Sequence, residues 1–211
     1  MTEPKKVPVS VYAEMTPNPA VLKFVANKRL IELDSVEFKN IEEAQPSPLA
    51  SKLFHYPFVK EVFISGNYIA VTRYDIVEWE DVTLEVRELI RDFIAEGNEI
   101  LSPSYGKKVS TPDGEVSQPQ QESHPEAKDP SEWDPIETKI ASLLDEYVKP
   151  AVESDGGAIK LMQYDDGIVK VLLQGACSGC PSSTQTLKQG IQSLLMEMLP
   201  GQVKDVVAVN G

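Results

Sequence analysis

Apolar and polar residues alternate along Val9-Ser10-Val11-Tyr12-Ala13, the pattern of a strand with one buried face. The turn-prone Thr16-Pro17-Asn18-Pro19 follows. The apolar run 21–26 reads as a second strand, and the shorter stretch 36–38 as another. Ser47 ahead of Pro48 predicts a serine-capped short helix that turns Leu49, Leu53 and Phe54 inward. Residues 59–64 and 68–73 flank Ser65-Gly66-Asn67 as the arms of a hairpin. Asp81 stands where it can cap a longer helix whose Val82, Val86, Leu89, Ile90 and Phe93 share one face, with Gly97 as its stop.

A second periodic region opens on Asp134-Pro135-Ile136-Glu137, which combines an N-cap, a first-turn proline and a capping-box acid. Ile136, Ile140, Leu143, Leu144 and Tyr147 recur at helical spacing, and Pro150 is expected to end the element. Ser154-Asp155-Gly156-Gly157 reads as a flexible loop leading to a strand around Ile159 and Leu161. Asp165-Asp166-Gly167 supplies a hairpin turn, and residues 168–173 supply its second arm. Leu187, Ile191, Leu194, Leu195 and Met198 mark another helix, closed by Pro200-Gly201, before a last strand over 203–209. The order αββαβ predicts a small α+β domain with both helices on one sheet face. Between the two regions, residues 102–132 are rich in Pro, Ser, Gln and acids and poor in large apolar side chains. Such a segment buries too little surface to offset its ordering entropy, so it reads as a flexible tether. The chain is thus expected to be α+β in class, with one small domain over 1–101, a linker over 102–132 and a second domain over 133–211.

Composition narrows the function. The chain of 211 residues carries a net charge of −13, which would repel nucleic-acid phosphates from any broad surface. No apolar run approaches the roughly 18 residues of a membrane span. Met1 to Pro8 holds Lys5 and Lys6 without an apolar stretch, unlike a secretory signal. The chain has only 2 cysteines, and they stand together as Cys177-Ser178-Gly179-Cys180 ahead of Pro181. A pair so close makes no disulfide framework and fits a reducing compartment, so a cytoplasmic localisation is expected.

The pair falls between the strand ending near Leu173 and the helix beginning near Pro181, in a loop that Gly175 and Gly179 leave free to wrap a ligand. Amides and the positive dipole end at the helix start are expected to favour thiolate over thiol and to leave it reachable. Three uses compete: inert thiols in a turn, a reversible disulfide, or half of a tetrahedral metal site for zinc or an iron–sulfur cluster. No aromatic residue precedes Cys177, and Pro181 follows the pair instead of lying within it, unlike a thioredoxin-type motif. His55 lies in the first domain and His124 in the linker, and both read as surface or loop residues that complete no zinc site. Asp165 and Asp166 read as turn formers, and Asp155 with its glycines as residues that shape the loop.

Two segments carry a family resemblance. Pro150-Ala151-Val152-Glu153-Ser154-Asp155-Gly156-Gly157, followed by Gly175-Ala176-Cys177-Ser178-Gly179-Cys180-Pro181-Ser182-Ser183-Thr184, resembles the carboxy-terminal domain of NifU, the Nfu domain, over about residues 134–209. Residues 9–95 are similar to the Nfu amino-terminal domain through Thr16-Pro17-Asn18-Pro19, Ser47-Pro48-Leu49-Ala50 and the hairpin running to Val71-Thr72. The resemblance implies a carrier, not an enzyme, in which Cys177 and Cys180 of two chains bind one [4Fe-4S] cluster, or a [2Fe-2S] one. It further implies a homodimer on cluster binding, upstream cluster-assembly proteins as donors and apo iron–sulfur proteins as recipients. Unlike full-length NifU, this sequence holds no cysteine-rich scaffold or ferredoxin-like domain, which points to delivery of a preformed cluster. The first domain would recruit recipients or donors, or serve solubility and dimerisation.

Overall fold

In the computed structural model, which describes residues 8–103, 105, 133–178 and 181–210, helices and sheets combine as an α+β protein in two units. Apart from Ser102, Pro103 and Tyr105, the tether expected over 102–132 lies outside the described residues.

The first unit is built on five antiparallel strands in the order β1-β2-β5-β4-β3. These are β1 Val11–Met15, β2 Val21–Ala26, β3 Ser35–Phe38, β4 Val59–Ser65 and β5 Tyr68–Arg73. Leu22, Phe24, Val62, Ile64, Ile69 and Val71 make one sheet face, which helices α1 (Pro48–Leu53) and α2 (Trp79–Ala95) cover with Leu49, Leu53, Val86, Ile90, Phe93 and Ile94. Each such side chain, when fully buried, contributes about 1.5–3 kcal/mol. Ser47 caps α1 as expected: its Oγ accepts the Ala50 N–H at 3.2 Å and donates to the Ile100 carbonyl at 2.6 Å, so one buried hydroxyl also pins the segment after α2. The second helix starts earlier than expected. Glu78, not Asp81, is its N-cap residue, and no side-chain bond caps it. Trp79 packs edge-on to Phe24 at 6.3 Å, so tertiary contact replaces the local cap, and Asp81 joins Glu80 as first-turn charge at the positive dipole end.

The second unit has the expected αββαβ order. Its first helical stretch comprises α3 (Pro135–Leu143), a π turn (Leu144–Val148) and α4 (Lys149–Ser154). The Asp134 carboxylate accepts the N–H groups of Ile136 and Glu137 at 2.8 and 2.7 Å. The buried Glu137 carboxylate in turn accepts from Asp134 N–H at 3.1 Å and reaches Tyr164 N–H of the sheet at 3.4 Å. Pro150 does not end the helix. The π turn just ahead of it rewinds the backbone where the ring would otherwise clash and a donor would be missing, and the helix resumes. The same turn changes the buried face: Val148 and Val152 enter the core, while Tyr147 is left 50% exposed.

Strands β6 (Gly157–Asp165) and β7 (Ile168–Gly175) form the predicted hairpin through Asp166 and Gly167, whose φ angles of 43° and 84° suit a two-residue turn with both residues left-handed. Helix α5 (Pro181–Met198) then crosses back, so that β8 (Asp205–Asn210) lies parallel to β7 in the order β6-β7-β8. Ile140, Leu144 and Val152 meet Ile191 and Leu195 over Ile159, Val169, Val171 and Leu173, so both helical stretches serve one core.

Two substitutions test these polar anchors. Ser47→Ala orphans the Ala50 donor and the Ile100 acceptor and is expected to cost the first unit about 1–3 kcal/mol. Glu137→Ala, which frees the Asp134 and Tyr164 amides, is expected to cost the second unit a similar ~1–3 kcal/mol. Urea unfolding of the full chain, read by amide exchange within each unit, measures both.

Candidate functional site

Helix α4 ends at Ser154, two residues before the site's first glycine, Gly156. Asp155 N–H donates to the Ala151 carbonyl at 3.0 Å, and Gly156 N–H donates to the Glu153 carbonyl at 3.1 Å. Gly156 adopts φ 83°, which reverses the chain and admits glycine readily. Its carbonyl then accepts the Ala176 N–H at 3.2 Å, and Gly157 enters β6 opposite Gly175 of β7. The stretch read as a flexible loop is therefore a helix end, a tight turn and the first residue of a strand.

Cys177 sits in the turn that leaves β7. Ser178 N–H and Oγ both donate to the Gly175 carbonyl, at 3.1 and 2.9 Å, and Thr184 Oγ1 of α5 donates to the Cys177 carbonyl at 3.0 Å. Three bonds thus close the turn on the start of α5. Gly157 lies directly against the thiol: a Cβ placed on it would stand 2.8 Å from Cys177 Sγ and 2.7 Å from the Gln174 carbonyl oxygen.

The thiol itself differs from expectation. Cys177 is a free cysteine, 6% exposed, and belongs to the core that Val152, Leu173 and Ile191 also line. Burial pushes its pKa up to about 11, and the negative charge of Asp155 adds to that rise. The expected easily formed, reachable thiolate is corrected for this residue to a sheltered neutral thiol, because desolvation outweighs what the helix start supplies. Gly179 and Cys180 lie outside the described residues, so the expectation for the second sulfur rests on the sequence. A groove of about 400 Å³ opens beside the turn, lined by Ser178, Thr184, Lys188, Val207, Ala208 and Asn210 among others.

Among the described residues, no group of three or more His, Cys, Asp or Glu side chains is arranged to hold a metal ion. His55 bonds the Ser51 carbonyl at 2.7 Å in the first unit, and His124 lies outside the described residues. Asp166 forms the hairpin turn as expected and pairs with Lys204 at 3.0 Å, while Asp165 closes β6. Sequence reasoning missed the contact of Gly157 with the thiol. The signal was present, since a glycine at a strand position marks close approach of other atoms, but paired glycines after Asp155 read first as flexibility.

Comparison with known proteins agrees with this architecture. Residues 11–97 match the family "Scaffold protein Nfu/NifU N terminal", and residues 140–207 match the "NifU-like domain". NifU-like protein 4, mitochondrial, of Arabidopsis thaliana is 34% identical over 198 residues, covering 93% of this chain and 64% of its own length. The human NFU1 iron-sulfur cluster scaffold homolog, mitochondrial, is 34% identical over 191 residues, covering 90% of this chain and 68% of its own. A solved NifU-like protein from Saccharomyces cerevisiae, 22% identical, aligns with a TM-score of 0.42 over 49% of this chain and 92% of that one. The chain spans about two thirds of the length of these curated relatives. Their names place them in mitochondria and overturn the expected cytoplasmic localisation; reduced thiols need only a reducing compartment, and the cytosol is not the only one. With both domain matches in family order and one third of its residues shared with a relative it covers by two thirds, the chain belongs to the Nfu/NifU family.

Proposed function

We propose that this chain is an iron–sulfur cluster carrier that receives a [4Fe-4S] cluster as cargo and releases it to apo-proteins. Cys177 and Cys180 of each of two chains would be the ligands. The observation that carries the reading is the position of the sole cysteine pair in the sequence, between β7 and α5 of the NifU-like domain. A four-iron cluster takes four thiolates, and one chain has 2 cysteines, so two copies complete the set. Relatives named as iron-sulfur cluster scaffolds support the cargo. Recipients would be apo iron–sulfur proteins, and donors upstream assembly proteins. The domain division over 1–101, 102–132 and 133–211 belongs to the same proposal. The first domain would recruit partners, and the linker would raise their local concentration at the second.

The chemistry needed is ligand exchange, without a general base or nucleophile acting on an organic substrate. In the apo chain Cys177 holds its proton, and iron binds only thiolate, so loading displaces that proton and lifts the sulfur from its sheltered seat. Unloading reverses both steps. Reprotonation and return to the core then favour the empty chain, which assists release to a recipient whose thiolates replace these one at a time.

Anaerobic reconstitution with iron and sulfide tests the reading. A brown protein with about two irons per chain is expected, from one four-iron cluster per two chains. Cys177→Ala and Cys180→Ala are each expected to remove the colour and the dimer. Zinc at half occupancy, or a colourless protein with disulfide-reductase turnover, would instead assign the pair to a structural zinc site or to redox exchange. The state of the thiol is checked separately. In an apo Cys180→Ser chain, iodoacetamide labelling of Cys177 is expected to climb with pH up to a midpoint near 11, above the ordinary cysteine range.

A further inference from the structure

We infer that Gly157 is a positioning residue for the cysteine ligand: having no side chain, it leaves the space that Cys177 Sγ occupies. This rests on the cluster-carrier reading for its meaning, though not for its geometry.

A Cβ on Gly157 would meet three atoms: the Gln174 carbonyl oxygen at 2.7 Å, Cys177 Sγ at 2.8 Å and Cys177 Cβ at 3.0 Å. Gln174 is paired with Ala158 inside the β6–β7 hairpin and has little room to yield. The turn backbone is held as well, by Ser178 N–H on the Gly175 carbonyl and by Thr184 Oγ1 on the Cys177 carbonyl. Of the three atoms only the cysteine sulfur can turn away about a single bond, while the Gln174 contact adds strain to the hairpin that the sulfur's movement does not relieve. Ordinary contact between heavy atoms lies at about 3.5–4.0 Å, so the sulfur would have to retreat by roughly 1 Å. A ligand set tolerates misplacement of only about 0.5 Å. Gly157 therefore sets where the sulfur rests and how far it must travel to take up iron. Gly190, on α5, offers the contrast, since a Cβ there meets nothing within 4 Å.

The test uses the full apo chain with Cys180→Ser, so that Cys177 is the one reactive thiol. Gly157→Ala is expected to speed iodoacetamide labelling at fixed pH by about tenfold or more, the scale on which overpacking shifts a local equilibrium. Gly190→Ala is expected to label at the parent rate. In the chain with both cysteines, Gly157→Ala should lower retained iron per chain, whereas Gly190→Ala should not. If the parent binds no iron, the carrier reading fails, while the labelling rates still decide the role of Gly157. Equal labelling in Gly157→Ala and the parent overturns the inference. Should Gly157→Ala fold poorly, Cys177→Ala in the same chain is expected to recover part of the lost melting temperature by removing the nearest side-chain atom. No recovery assigns the glycine to the Gln174 backbone contact and also overturns the inference.

Discussion

The hairpin β6–β7 and the helix end before it meet at one crowded point, where Gly157 lies against the Cys177 thiol, paired with Gly175 and preceded by Gly156, whose carbonyl holds Ala176. Much of the second unit follows from that crowding. The Gly156 carbonyl holds the turn through Ala176, the turn holds α5 through Thr184, and α5 directs β8 to its parallel place beside β7. The Cys177 side chain is thereby wired into the sheet, and its movement is tied to the state of the turn.

That wiring bears on how the proposed carrier could be both firm and yielding. A thiol on an exposed loop would ionise readily and hold cargo tightly, leaving little to favour its return. Here burial and the Asp155 charge both oppose the thiolate, so the empty state of Cys177 is itself stabilised. In the proposed carrier, bonds to iron would have to overcome that preference, which would remain available when a recipient competes. Transfer would then depend on a difference between two ligand sets, as specificity generally does.

The first unit follows a different logic. Its five strands are pinned by a hydrocarbon core on one face and by single polar anchors such as Ser47. On the opposite face, the Lys23 ammonium stands 3.3 Å from a Glu14 carboxylate oxygen and 4.7 Å from the Tyr68 ring centre.

Local rules alone made several features legible in the residues. Ser47-Pro48 and Asp134-Pro135 carry their own capping chemistry, and Asp166-Gly167 carries its turn. Other features depended on contacts between residues distant in the chain. Glu78 rather than Asp81 begins α2 because Trp79 finds Phe24 across the core. Pro150 stays helical because a π turn precedes it, and that turn puts Val148 in the core and leaves Tyr147 outside. The protonation of Cys177 was likewise beyond reach from sequence, since local amides argue for thiolate and only the packed core supplies the desolvation that prevails. Sequence determined where the two thiols stand in the chain; tertiary packing decided how reluctantly one of them gives up its proton, because the free energy of a charge depends on what surrounds it.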